Sequence, residues 1–196
     1  MDFRELFDLV ASAFVVFVIF SLPYINPPNY EMLVAYLLAT VTAFVFHELA
    51  HRAVARSKGV FAVYRAWYLG LLISLVLAIA TRGTLVFIAP GAVEIYMPVY
   101  LPSIESSIAV AGPTTNAIIS LLCIPLSMVP KISVYAYVVG YVNSFLALFN
   151  LLPIPPLDGY KVFRYDVVRW GLSMLLSIVS FVIYIFFIWS SSSSFL

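Results

Sequence analysis

The chain has 196 residues, 64% of them hydrophobic and 10% charged, with a mean hydropathy of +1.08. Soluble domains carry about 25% charged residues, so the composition is that of an integral membrane protein, with no length left over for a soluble domain; residues 1–196 form one unit. A net charge of +1 without any basic run argues against nucleic acid as a partner, and the single cysteine, Cys123, excludes an intramolecular disulfide.

The first apolar stretch, 9–25, is flanked by Met-Asp-Phe-Arg-Glu, which is not basic, and lacks a small-residue cleavage site, so it reads as a retained anchor and not as a cleaved signal peptide. Asn26-Pro27-Pro28-Asn29 ends it. A second span is expected over 31–56, a third over 104–128, a fourth over 132–152 and a fifth over 167–189, followed by a short serine tail. Between the second and third, 66–81 is apolar but short for a full crossing. Residues 84–96 are β-prone and broken by Pro90-Gly91, which predicts two short strands around a turn. The fold expected is an all-α polytopic membrane protein with about five to six transmembrane helices and a small membrane-associated β element.

Charge placement predicts orientation. Arg52, Arg56, Lys58 and Arg65 follow the second span, which puts that end and the N-terminus in the cytoplasm. If 58–103 begins and ends on that side, nine of the ten basic residues are cytoplasmic and only Lys131 lies outside. A single crossing by 66–82 would invert the later loops, so parity favours a re-entrant segment or a hairpin there.

The second span carries the chemistry. Its C-terminal half contains His47-Glu48-Leu49-Ala50-His51, and these are the chain's only two histidines. Positions four apart share a helix face, so both imidazoles can reach one metal ion, with Glu48 beside them as a general base. HExxH alone is a short pattern. Two histidines and a carboxylate within an apolar helix are nevertheless costly without a partner, which makes them functional by default. A catalytic zinc held by two histidines takes a third protein ligand. The carboxylates away from the termini and the motif are Glu31, Glu94, Glu105, Asp158 and Asp166. Asp158 stands out because it follows the breaker-rich loop Asn150-Leu-Leu-Pro153-Ile-Pro-Pro-Leu157, and unwound backbone at membrane depth lines cavities or is buried in protein. Asp-Gly is also a common turn pair, so a helix-cap role stays open.

These residues resemble the site-2 protease family of intramembrane zinc metalloproteases. His47–His51 is similar to its HExxH helix, and Asn150…Pro153…Leu157-Asp158-Gly159 to its second signature. Ala111-Gly112-Pro113-Thr-Thr-Asn116 resembles the Gly-Pro…Asn feature opening the helix between them, and Pro90-Gly91-Ala92-Val93 the glycine-containing loop of the family's membrane-embedded sheet. The likeness covers about residues 30–165. It departs at 64–81, an apolar insertion, and lacks any PDZ or CBS-like segment, as a minimal member would.

The resemblance implies one zinc per chain held by His47, His51 and Asp158, with Glu48 as general base. It implies Asn150 as an oxyanion donor, although an asparagine at a helix end can equally be a C-cap. The implied partner is the transmembrane segment of another protein within the lipid bilayer, cleaved after local unwinding. Gly91, Ala92 and Val93 would then offer a strand edge to the freed backbone, with Gly91 admitting its close approach. A loop packed on the third span is the competing reading of 84–96. From another functional class, a metal transporter or sensor would use the same ligands, but no related second half is present.

Overall fold

The computed structural model describes residues 1–84, 88, 90–97 and 99–193, from 187 onward as backbone. Helix α1 (Phe3–Ser21) starts at Asp2, whose side chain accepts from the Glu5 amide at 2.6 Å. Helix α2 (Tyr30–Ser57) starts at Asn29, which accepts from the Met32 amide at 3.1 Å. Each cap satisfies an amide that has no intrahelical partner. Strand β1 (Phe61–Ala66), helix α3 (Tyr68–Ala80) and strand β2 (Gly91–Tyr96) follow. Then come α4 (Pro102–Leu126), α5 (Ser133–Asn150), α6 (Asp158–Tyr165) and α7 (Val167–Ser193).

Among the described residues four helices are long and apolar enough to cross a membrane: Phe3–Tyr24, Tyr30–Ser57, Pro102–Leu126 and Val167–Phe186. The described chain is mostly helical, consistent with a helical membrane protein. The span expected over 132–152 becomes α5, whose 18 residues give the length but whose three tyrosines and two asparagines dilute its hydropathy. Its position explains that composition. Ala136, Val138, Val139, Gly140, Val142, Asn143, Ser144 and Ala147 are all buried, so α5 faces protein on much of its surface and need not match lipid. Tyr184 of α7 pegs it from one side: its hydroxyl donates to Ser120 O at 2.7 Å, and a Cβ on Gly140 would lie 1.8 Å from that hydroxyl oxygen.

The strands form one antiparallel pair in which Phe61 faces Tyr96 and Ala66 faces Gly91. This differs from the expectation of a pair formed within 84–96. The partner of 91–96 is 61–66, and most of 84–89 lies outside the described residues. Gly91 also differs from its expected use. Its φ is +143°, and a Cβ there would meet Arg65 O at 2.1 Å and Ala66 Cα at 2.9 Å. The missing side chain accommodates β1, so glycine is required by the strand pair itself.

The excursion 67–90 leaves and returns at one place, since Trp67 N donates to Pro90 O at 2.9 Å. Between those ends α3 runs beside α1. The Tyr68 hydroxyl donates to Asp8 near the start of α1, while Gly83 packs on Pro23 past its end. The 13-residue helix rises about 20 Å, and Pro90 is again beside Trp67. The two ends of the segment therefore lie together, at the end of α1 that holds Asp8. Arg82 consequently sits at the far end of α1, away from Arg52 and Arg65, so Lys131 is not the only basic residue set apart.

At the opposite end α1, α2 and β1 are tied together by charge. Arg52 Nη2 donates to Glu5 Oε2 at 2.8 Å and its Nε lies 2.6 Å from Oε1, with Glu5 2% exposed. Tyr64 N donates to Glu5 Oε1 at 3.3 Å, so α1 occupies the outer edge of β1.

Candidate metal centre

The motif helix is not regular. Residues Val41–Val45 form a π turn immediately before Phe46–Ser57, the stretch that carries His47, Glu48 and His51. A π turn inserts an extra residue into a helix and is common next to functional sites. Two asparagines from neighbouring helices hold it: Asn116 Nδ2 donates to Ala43 O at 3.1 Å, and Asn143 Nδ2 to Thr42 Oγ1 at 2.9 Å.

Beyond that turn both imidazoles point to one spot. The rings are 4.6 Å apart at 80°, and their Nε2 atoms are separated by 3.0 Å. Asp158 Oδ2 closes the triangle, 3.3 Å from His47 Nε2 and 3.1 Å from His51 Nε2. His51 Nδ1 lies 2.7 Å from Ile108 O. Because a carbonyl can only accept, Nδ1 carries the proton and Nε2 is left with a lone pair facing inward. Ile108 precedes Ala109, whose carbonyl loses its helical partner to Pro113.

Asp158 is delivered by a tight loop. A Cβ on Gly159 would sit 2.1 Å from Leu151 O, so only glycine lets the start of α6 close onto the end of α5. Trp170 Nε1 donates to the same Leu151 oxygen at 2.8 Å, which bolts α7 to the loop. Gly112 of α4 forms the floor. A Cβ there would lie 2.4 Å from His51 Nε2 and 2.5 Å from His47 Nε2, intruding on the donor atoms. Gly112-Pro113 therefore lies within α4, where it clears space for the site, instead of opening a helix.

These features fit a zinc ion. Among the described residues His47, His51 and Asp158 are the histidine, cysteine and acidic side chains grouped closely enough to hold a metal. Tetrahedral zinc with ligands about 2.0–2.1 Å away spaces its donors about 3.3 Å apart, close to the 3.0, 3.3 and 3.1 Å found here. Glu48 is 8% exposed and lies within electrostatic reach of His51, Asp158 and Lys161. Asn150 is differently engaged: its Nδ2 donates to Leu146 O at 3.0 Å, one turn back along α5. The other grouped residues, Gly91, Ala92 and Val93, lie on β2, away from the triad in sequence and in role.

Sequence reasoning missed the π turn, the Ile108 carbonyl and β1. The first two are backbone features without any side-chain signature. The aromatic and β-branched residues in Phe61-Ala-Val-Tyr-Arg-Ala66 were the available signal for the third.

Over 190 residues the chain is 38% identical to a protein of Methanocaldococcus jannaschii named "Putative zinc metalloprotease MJ0611", covering 94% of this chain and 95% of that one. No family model matches the chain, and no solved structure matches it.

Proposed function

Since the chain belongs to the zinc metalloprotease family of that archaeal relative, we propose that it is a site-2-type protease that hydrolyses peptide bonds within the transmembrane segments of other membrane proteins. The observation that carries this reading is the convergence of His47 and His51 with Asp158 inside a helix long and apolar enough to cross a bilayer.

A zinc ion held by these three residues would supply Lewis acidity, polarising a carbonyl and making water acidic near neutral pH. The chain's own residues do the rest. His51, oriented by Ile108 O, and His47 keep their lone pairs on one centre, and Gly112 leaves that centre clear. Glu48, one residue from His47, takes a proton from the attacking water and returns it to the leaving amine. Asn150 serves the developing oxyanion by exchanging its bond to Leu146 O for the substrate oxygen.

Substrate backbone is held on β2. The Tyr64 amide points to Glu5 and away from β2, so Tyr64 and Val93 form a non-hydrogen-bonded pair. The backbone groups of Val93, and by alternation those of Gly91 and Ile95, then point outward. Among the described residues no strand pairs that edge. An unwound substrate segment can add there. The protein is multi-pass, with the metal centre toward the cytoplasmic end. The Glu5–Arg52 pair supports this by setting the N-terminus and the basic end of α2 at one level. Metal transport is not favoured, because the described residues hold one ligand cluster and no second one to receive an ion.

The test uses detergent-purified protein and a model membrane-spanning substrate. Zinc-loaded wild type cleaves it, a chelator abolishes cleavage, and added zinc restores it. Glu48→Gln retains zinc and cleaves about 10²–10⁴-fold more slowly. Full activity in that variant with zinc bound would remove the mechanism.

A further inference from the structure

His51 owes its orientation to Ile108 O, but His47 has no such bond. Its Nδ1 is buried without a hydrogen-bond partner. So is Asn116 Oδ1, on a residue with no exposed surface. The two belong to facing turns. Asn116 lies one turn beyond Gly112 on α4, and Gly112 is the residue against which His47 Nε2 packs. Ala43, whose carbonyl receives the Asn116 amide, lies one turn before His47 on α2. The Asn116 amide is within electrostatic reach of the His47 ring, although short of full hydrogen-bond geometry.

We propose that Asn116 is the positioning residue for His47. Its Nδ2 is anchored on Ala43 O, and its Oδ1 accepts the His47 Nδ1 proton so that Nε2 presents its lone pair to the metal. The amide orientation is not arbitrary, because only nitrogen can donate to the Ala43 carbonyl. Two buried polar atoms without partners, one a donor and one an acceptor, are then satisfied by each other. A histidine ligand whose far nitrogen is held in this way is fixed in tautomer and ring angle, and loss of such a partner lowers metal affinity by about 10–100-fold. One amide thereby links the carbonyl of the π turn to the ligand that follows it. The proposal rests on His47 being a ligand.

Zinc affinity is measured by chelator competition on the purified chain, with thermal melting of the zinc-free form read alongside. Asn116→Ala is expected to lose about 10–100-fold in affinity. Asn116→Asp keeps an acceptor but loses the donor to Ala43, and is expected to bind zinc more nearly like wild type than Asn116→Ala does. Wild-type affinity in Asn116→Ala overturns the proposal. So do equal losses in both variants that track their melting temperatures, since Asn116 would then act only through Ala43. Should Asn116→Ala not fold, the wild type decides. With only two histidines in the chain, ¹⁵N-histidine labelling of the zinc-loaded protein is expected to show two slowly exchanging Nδ1 protons, and a single one overturns the proposal. His47→Ala separates the two levels of the argument. Unchanged zinc affinity there refutes His47 as a ligand. Lost affinity there with none lost in Asn116→Ala refutes only the positioning role.

Discussion

Gly112→Ala pits helix propensity against the metal site. In a helix interior alanine is favoured over glycine by roughly 0.5–1 kcal/mol, so on propensity alone the variant should be the more stable. The site predicts a loss. The new Cβ would stand 2.4 Å from His51 Nε2 and 2.5 Å from His47 Nε2, whereas non-bonded heavy atoms settle about 3.5–4.0 Å apart. The rings must retreat by about 1 Å, well beyond the roughly 0.2 Å that a metal–ligand distance tolerates. Four-ligand zinc sites bind with about 10–16 kcal/mol, so one compromised ligand costs about 3 kcal/mol, or about 100-fold in affinity. Chelator competition on purified protein reads that loss directly, while thermal melting of the zinc-free form reports how far the fold has paid for it. Zinc affinity should fall much further than zinc-free stability. Wild-type affinity in Gly112→Ala would show that this face of α4 does not border the ion, and the reasoning from the missing Cβ would fail.

Gly159→Ala tests the delivery of Asp158: with its Cβ 2.1 Å from Leu151 O, the variant should push α6 outward and lose about tenfold or more in zinc affinity, and an unchanged affinity by the same competition assay counts against the tight-loop account. Gly91→Val should lower stability by about 2–4 kcal/mol whether or not zinc is present, because it strains a backbone at φ +143° and drives a side chain into Arg65 O. Melting with the wild type would return Gly91 to a purely substrate-facing role.

The helical bundle was legible because lipid leaves so few solutions: long uncharged runs become helices, and 64% hydrophobic content fixes the class. The metal cluster was legible for a related reason, since His47, His51 and Asp158 are ionisable groups in apolar surroundings that must find one another. What could not be read depends on backbone. The π turn at Val41–Val45 has the same apolar residues as any span, and the Ile108 carbonyl that fixes His51 carries no side-chain identity at all. Gly91 was legible as a glycine that matters but not as to why. A strand edge and a strand interior both favour a missing Cβ, and only the register Ala66–Gly91 distinguishes them. The helix expected over 132–152 is present as Ser133–Asn150, but why it carries tyrosines and asparagines depends on protein neighbours that sequence does not name.

The Glu5–Arg52 pair also imposes an order on biogenesis. Translation delivers about 5–20 residues per second, and the two partners are 47 positions apart, so Glu5 waits about two to ten seconds for its guanidinium. A carboxylate alone at that depth is costly, and the arrival of Arg52 relieves it. The first two helices are therefore riveted together while Gly112 and Asp158 have yet to be made. His47 and His51 are made just before Arg52 and so belong to that first helical pair, on which the remaining helices dock. The triangle of metal ligands cannot close before residue 158 has been made.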